Sequence, residues 1–164
     1  MYRFDPIAAL CNEHNMLTSN FALHQASLVN HAWGRASRLF EQYKKQLERH
    51  IQLEEHYLIP HYDALKTHDQ WPVRVYAAEH RRIERLTGEL SEVFVEMPPD
   101  GMKPSHLIAI LDAEKTLKNV LDHHHRREEL AMFDALRHGI PERVRTELIE
   151  AMLHPDNDVC RLDG

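Results

Sequence analysis

Histidines and glutamates interrupt the apolar stripes of this sequence at regular places. Four amphipathic segments carry a histidine where the three- and four-residue spacing of a packed helix would place a leucine, and two of them carry a glutamate one turn later. These residues are His14, His50, Glu54, His80, His124 and Glu128. Burial of an unpaired imidazole or carboxylate is costly, so all six side chains need partners in a folded core. A bound metal would be a shared partner for all six side chains, and this ligand set suits iron, zinc or manganese.

The positions of the four histidines along the chain predict that they meet at one height. His14 and His50 each lie about 16 to 18 residues from a turn near residue 32, and helices rise by about 1.5 Å per residue. His80 and His124 lie at similar distances, about 18 to 21 residues, from a turn near residues 98–103. Antiparallel helices of these lengths bring all four side chains to the same level. The His-x-x-x-Glu spacing then places each glutamate on the same helix face as its histidine.

The two halves of the sequence repeat this pattern. Glu13-His14 parallels Glu79-His80, and the segment 47–55 parallels the segment 121–129. The repeat predicts a metal site with two matching sets of ligands. Bridging carboxylates and terminal imidazoles would leave coordination positions open for a small molecule.

An EH pair followed by an H-x-x-x-E-E segment, present twice in a helical chain of this length, resembles the hemerythrin-like (HHE cation-binding) domain family. The segment HIQLEEHYLIP, residues 50–60, is especially similar to the second helix of that family. The resemblance covers about residues 6–138 and leaves the final helix and the tail outside. It implies a non-haem di-iron centre, with two irons joined by an oxo or hydroxo bridge. The matching ligands are His14, His50, Glu54, His80, His124 and Glu128, with the two glutamates as bridges.

One position departs from the oxygen-carrying members of the family. They have a second histidine one turn after the first on the third helix, where this chain has Glu84. Glu84 is therefore either a seventh ligand or a residue on the flank of the helix. The resemblance implies a protein that binds or senses a small diatomic molecule, oxygen or nitric oxide, or that senses iron. The alternative is an enzyme that acts on nitric oxide or peroxide, or an iron donor for iron–sulfur cluster repair, and we favour binding or sensing over an enzyme.

The elements that position these residues are predicted to be helices throughout. We expect an all-α, up-down-up-down four-helix bundle with a short extra C-terminal helix, forming a single domain over residues 1–164. The bundle spans about residues 6–138, and the C-terminal helix and a polar tail span 140–164. The helices are predicted at about 6–30, 35–65, 72–95, 105–138 and 141–153, with loops at 67–72 and 97–101. Asp5 is the predicted N-cap of the first helix, Gly34 the first turn, Pro60 a kink or interruption, and Gly139 a helix stop.

The remaining histidines and carboxylates have less specific interpretations. His24 lies about 15 Å along the helix from His14, too far to share its metal, and we expect it to pair with Glu114. His125 and Glu129 have the same spacing as His124 and Glu128, but the match to the first half favours His124. Further expectations are hydrogen-bonded core positions for His31 and His61, core positions for Tyr57 and Tyr76, solvated positions for Glu55 and Glu129, and surface or loop positions for His56, His68, His106, His138 and His154.

Composition excludes several classes of partner. The net charge is −6 and no basic run occurs, so neither nucleic acid nor an anionic membrane is an expected partner. No apolar stretch reaches the roughly 20 residues that span a bilayer, and no signal peptide is expected. Two cysteines, Cys11 and Cys160, are too few for a disulfide scaffold and favour the cytoplasm. The oligomeric state stays open, with a homodimer among the alternatives.

Two other readings of the same residues compete with a di-iron site. The first is a buried polar network without metal, which would need unusually complete hydrogen bonding. The second is a ferritin-like carboxylate site, which uses Glu-x-x-His rather than the His-x-x-x-Glu order found here.

Overall fold

The structure is a computed structural model that describes residues 4–65, 71–96 and 101–154. Every regular element in these ranges is helical, which confirms the all-α prediction. The α-helices are α1 (Pro6–Val29), α2 (Trp33–Leu53), α3 (Ile59–Ala64), α4 (Val73–Val95), α5 (Pro104–Arg127), α6 (Phe133–Gly139) and α7 (Glu142–Leu153). Two π-helical turns, π1 (Glu54–Leu58) and π2 (Glu128–Met132), join α2 to α3 and α5 to α6. The predicted loops at 67–72 and 97–101 lie mostly outside the described residues, as do His68, Cys160 and the tail.

The start of α1 follows from its sequence. The side chain of Asp5 accepts a hydrogen bond from the backbone N–H of Ile7 at 3.0 Å, and Pro6 occupies the first turn. This satisfies one of the N–H groups that a helix N-terminus leaves free, while proline has no N–H to satisfy. The predicted cap is confirmed.

The first turn of the chain is made by His31, so the prediction of Gly34 was wrong. Gly34 lies inside α2, whereas His31 has a φ of 59°, in the left-handed region. The N–H of Ala32 donates to the carbonyl of Ser27 at 2.9 Å, and the N–H of His31 donates to that of Leu28 at 3.0 Å. This is a Schellman ending, in which histidine holds the place usually taken by glycine. His31 is exposed, which also corrects its assignment to the core.

The long helices contact one another in pairs. Helix α1 packs against α2, α4 against α5, and α2 against α4, while α7 packs against α1. His14 lies against His50, and His24 lies against Ala36, so residue numbers rise along α1 as they fall along α2. Among the described helices, none is long and apolar enough to span a membrane.

The core consists of two apolar clusters with a polar layer between them. One cluster includes Leu10, Tyr76 and Phe133, and α7 adds Val144 and Leu148 to it. The other includes Phe21, Phe40 and Leu117. The four long helices cross the polar layer near the level of His14. The short C-terminal helix therefore helps to keep water from one side of this layer.

Candidate metal centre

The structure brings the six predicted residues together in the polar layer. His14 comes from α1, His50 from α2, His80 from α4 and His124 from α5, and all are 3% exposed or less. Glu54 and Glu128 are fully buried. The ligand atoms form two groups, each with its members within 4.8 Å of one another: His14, His50, Glu54 and Glu128 in one, Glu54, His80, His124 and Glu128 in the other. The two glutamates are common to both groups.

Each glutamate is the first residue of a π-helical turn. The N–H of Ile59 donates to the carbonyl of Glu54, and the N–H of Phe133 donates to that of Glu128, five residues back in each case. Pro60 is the second residue of α3, directly after π1, so it does not end the helix. The second half has Asp134 at the matching position and still forms π2. Proline is therefore not the shared cause, and placement of the carboxylate is the feature that both turns have in common.

Each carboxylate spans the two groups with its two oxygen atoms. One oxygen approaches the histidine of its own helix and the other approaches a histidine of the opposite half. The distances are 3.1 Å from His50 Nε2 to Glu54 Oε1, 3.4 Å from His80 Nε2 to Glu54 Oε2, 2.9 Å from His124 Nε2 to Glu128 Oε1, and 3.3 Å from His14 Nε2 to Glu128 Oε2. This is the arrangement that two bridging carboxylates require.

The donor atoms fit a pair of cations. All four carboxylate oxygens of Glu54 and Glu128 are buried without a hydrogen-bond partner. The Nε2 atoms of each histidine pair lie 3.0 Å apart. For metal–ligand bonds of about 2.1 Å, neighbouring ligands of an octahedron lie about 3 Å apart. The spacing of these atoms therefore matches the edges of a metal coordination shell.

Four further carboxylates hold the outer nitrogens of the histidines. The Nδ1–H groups of His50 and His124 donate to Glu13 and Glu79, at 2.8 and 3.1 Å. Carboxylate partners at Nδ1 fix the rings and leave Nε2 as the atom available to a cation. Glu13 and Glu79 are the glutamates of the two EH pairs, and no role was predicted for them from the sequence.

The same contact is made from the other direction by the second glutamate of each EE pair. The Nδ1–H of His14 donates to Glu129 at 2.8 Å, and that of His80 donates to Glu55 at 3.0 Å. Glu55 and Glu129 are partly solvated, as expected, and lie outside both groups of ligand atoms, but each also holds a histidine ring. Their recurrence in both halves was the signal that could have identified all four outer carboxylates.

Carboxylates dominate the electrostatics of the layer. Burial by itself lowers the pKa of His50, but Glu54 and Glu13 outweigh it and raise the pKa to about 10. The same balance raises the pKa of His80 to about 11 and that of His124 to about 9. Burial raises the pKa of the Glu54 and Glu128 carboxyls, but the histidines outweigh it and hold both below the usual range. Without a cation, protons on imidazole supply the positive charge, and a metal would have to displace them.

Two candidate residues lie outside both groups. Glu84 is exposed on α4, so it belongs to neither set of four. His125 is also outside, and His124 supplies the ligand atom instead. The ring of His125 stacks on that of His14 with centroids 3.8 Å apart and planes at 5°. Burial and the nearby His14 lower the pKa of His125 to about 3, so its ring is neutral.

His24 and Glu114 form the predicted buried pair away from the polar layer. Both are fully buried, and His24 Nε2 lies 2.7 Å from Glu114 Oε1. The Nδ1–H of His24 donates to the carbonyl of Ala36 at 2.7 Å, and Gln25 donates to the second oxygen of Glu114 at 2.8 Å. Each of these side-chain atoms has a protein partner.

Most of the predicted positions of the remaining tyrosines and histidines are confirmed. Tyr76 is buried, and its hydroxyl donates to the carbonyl of Arg127 at 3.4 Å; Tyr57 is buried as well. His61 is half-buried, and its Nδ1–H donates to the carbonyl of Tyr57 at 2.9 Å. The exposed histidines include His56, His106, His138 and His154, as predicted.

Comparison with known proteins identifies one family. The family model of the hemerythrin HHE cation-binding domain matches residues 5–101 and 72–159. The two matches overlap at α4 and together include both sets of candidate ligands. The second match also includes α7, so the prediction that the final helix lies outside the resemblance was wrong. No curated protein and no solved structure matches the chain.

Proposed function

The chain belongs to the hemerythrin HHE cation-binding domain family, and on that basis we propose that it binds two iron ions in the polar layer of an up-down-up-down bundle. The opposed senses of α1 and α2 support this topology. A single hemerythrin-like domain then extends over residues 1–164, with α7 closing one end of the bundle. Zinc and manganese accept the same donor atoms and are the competing metals.

The proposed ligands divide evenly between the two ions. His14 and His50 would hold one ion, His80 and His124 would hold the other, and Glu54 and Glu128 would contribute to both. The observation that carries this assignment is the set of four buried carboxylate oxygens, none of which has a hydrogen bond although each lies 2.9–3.4 Å from a histidine Nε2. Four protein ligands for each ion would leave coordination positions open for other molecules. The site therefore has room for a small ligand beside each ion.

The function that this arrangement supports best is reversible binding or sensing of a small diatomic molecule, oxygen or nitric oxide. A ferrous pair, when bound, supplies electrons that such molecules can accept. The protein's own groups hold the site: the carboxylates offset the charge, the Nδ1 contacts orient the rings, and the apolar clusters exclude water. A carboxylate ligand at Glu84 would favour a reactive enzyme. Glu84 is exposed, and this position does not support a role as a ligand.

Metal analysis with an optical spectrum tests this proposal. The metal-free protein is loaded anaerobically with ferrous iron, freed of excess metal, and then exposed to oxygen or nitric oxide. We expect two irons per chain and a visible absorption that depends on the added gas. Zinc and manganese are offered in competition to identify the preferred metal.

Two results would count against it in different ways. If no metal is retained, the metal site itself is refuted. If two irons are retained but neither gas changes the spectrum, the site stands and binding of diatomic molecules is refuted. Glu84→Ala is the matched control, since this exposed carboxylate should leave both measurements unchanged.

A further inference from the structure

A small cavity lies beside the His14/His50 half of the polar layer. It has a volume of about 70 Å³ and is bounded by α1, α2 and α5. Its mouth is formed by exposed residues, which are Thr18, Ala22, Lys118 and Asp122. Its interior is walled by buried side chains, which are Leu17, Phe21, Tyr43 and Leu121. The cavity thus passes from a polar opening into an apolar interior.

His125 stands between this cavity and the candidate metal ligands. It lines the cavity, and its ring covers the ring of His14 at 3.8 Å. Its centroid is 6.2 Å from that of His50. The Nε2 atom of His125 is buried without a hydrogen-bond partner. Buried polar atoms in proteins are nearly always paired, so an unpaired one beside a cavity indicates a missing partner.

The other half of the molecule lacks this feature. The position that matches His125 in the sequence repeat is Ile51, which is buried and cannot form hydrogen bonds. The two halves are alike in their ligands, although Glu79 also pairs with Arg127, whose match in the first half is Leu53. The exchange of isoleucine for histidine therefore distinguishes one half of the centre from the other.

We propose that this cavity admits a small uncharged molecule to the His14/His50 half of the centre, and that His125 Nε2 hydrogen-bonds to the molecule there. The inference rests on the proposed metal site and adds the entry route and a positioning residue. A cavity of this volume exceeds the roughly 10–15 Å³ that one water needs. It falls well short of the roughly 300 Å³ of a pocket for drug-sized ligands. The apolar walls disfavour charged molecules, so the cavity fits small uncharged molecules, a class that includes the diatomic gases.

Xenon tests the cavity without any metal. Crystals of the metal-free protein under xenon pressure should show an anomalous peak between α1 and α5, since small apolar cavities bind this gas. Ala22→Trp at the exposed mouth should remove the peak. Absence of xenon from the wild-type cavity would overturn the proposed route, whatever the metal content.

Association of nitric oxide with the ferrous protein tests the route directly. Ala22→Trp and Leu121→Phe should slow association at least about tenfold, because entry then requires the side chains to move. The matched control is Gly88→Trp, since Gly88 holds the place of Ala22 in the repeat and no atom lies within 4 Å of an added Cβ. Equal association rates in all four proteins would refute the route and leave the metal site in place.

The role of His125 is tested by dissociation of nitric oxide. His125→Leu should speed dissociation about three- to tenfold, the range expected for one lost hydrogen bond, and should shift the N–O stretching frequency. His125→Gln should restore part of both effects, because its amide can donate. Iron content is measured in parallel. A matching loss of iron in His125→Leu, or an unchanged stretching frequency, would show that His125 only supports His14 and would overturn its proposed contact.

Discussion

Two groups of buried histidine and glutamate lie in the described part of this bundle, and they satisfy their polar atoms in different ways. In the His24–Glu114 pair, backbone and side-chain groups of the protein meet each atom. In the polar layer, the four carboxylate oxygens of Glu54 and Glu128 have no hydrogen bond. Both groups are buried, so burial alone does not identify a metal site; the missing partners do.

The largest expected difference between the two groups is in metal content. Glu54→Gln and Glu128→Gln each remove a bridging carboxylate and should lower iron from two per chain to less than one. Glu114→Gln changes the same residue type at equal burial and should retain two. Iron and protein assays on the three purified variants measure this. Iron loss in Glu114→Gln equal to that of the other two would break the distinction.

The next difference concerns stability. Glu114→Leu leaves the buried His24 imidazole without its partner and should lower the free energy of unfolding by about 3–5 kcal/mol. The double variant His24→Leu/Glu114→Leu should recover most of this loss, since it removes both polar groups together. Urea unfolding of the metal-free proteins measures both effects. A double variant no more stable than the single one would mean that the pair has a role beyond mutual neutralisation.

Removal of metal should lower the stability contributed by the polar layer and leave that of the His24–Glu114 pair unchanged. At a free metal concentration about 100 times the dissociation constant, each bound ion adds about 2.7 kcal/mol to the free energy of unfolding. Chelation should therefore lower the melting temperature of the wild type by several degrees. The same drop is expected in His24→Leu/Glu114→Leu, and none in Glu54→Gln. Thermal unfolding with and without chelator decides between these outcomes.

A smaller effect is expected from the carboxylates that hold the histidine rings. Glu13→Gln and Glu79→Gln should each weaken metal affinity about 10- to 100-fold, because such outer contacts orient the ligands. These residues match in the repeat, so the two losses should be similar in size. Competition with a chromophoric chelator measures the affinities. Unequal losses would be attributed to Arg127, which also pairs with Glu79 and whose match in the first half is Leu53.

The smallest effect is expected at Glu84. Its side chain is exposed and lies outside both groups of ligand atoms. Glu84→Ala should leave iron content and metal affinity unchanged in the same assays. A loss of one iron per chain would make Glu84 a ligand and would require α4 to turn from its position in the structure.

Much of the site could be predicted because it depends on helix periodicity. The stripe of each segment places His14, His50, His80 and His124 toward the core, and the rise per residue sets their common level. The same rise places His24 level with Glu114, a pair that the structure confirms. These inferences need only the helix parameters and the positions of the turns.

Other features lie beyond this reasoning because they depend on contacts between helices. The π-turns at Glu54 and Glu128 break the regular spacing, and no local signal marks the second of them. The first turn uses His31 in the left-handed region, where a sequence pattern favours Gly34. Propensity is a weak guide in both cases, since tertiary contacts decide the outcome.

The sequence by itself determined that the chain is helical, that it repeats, and which six residues meet in the core. The tertiary structure decided which atoms face one another: which oxygen of each glutamate approaches which histidine, and which carboxylate holds each Nδ1. It also placed His125 against His14 rather than in the ligand set. Periodicity sets the face and the height of a side chain along a helix axis, whereas the rotation of neighbouring helices and their rotamers set the last few ångströms, and at that distance coordination and hydrogen bonding are decided.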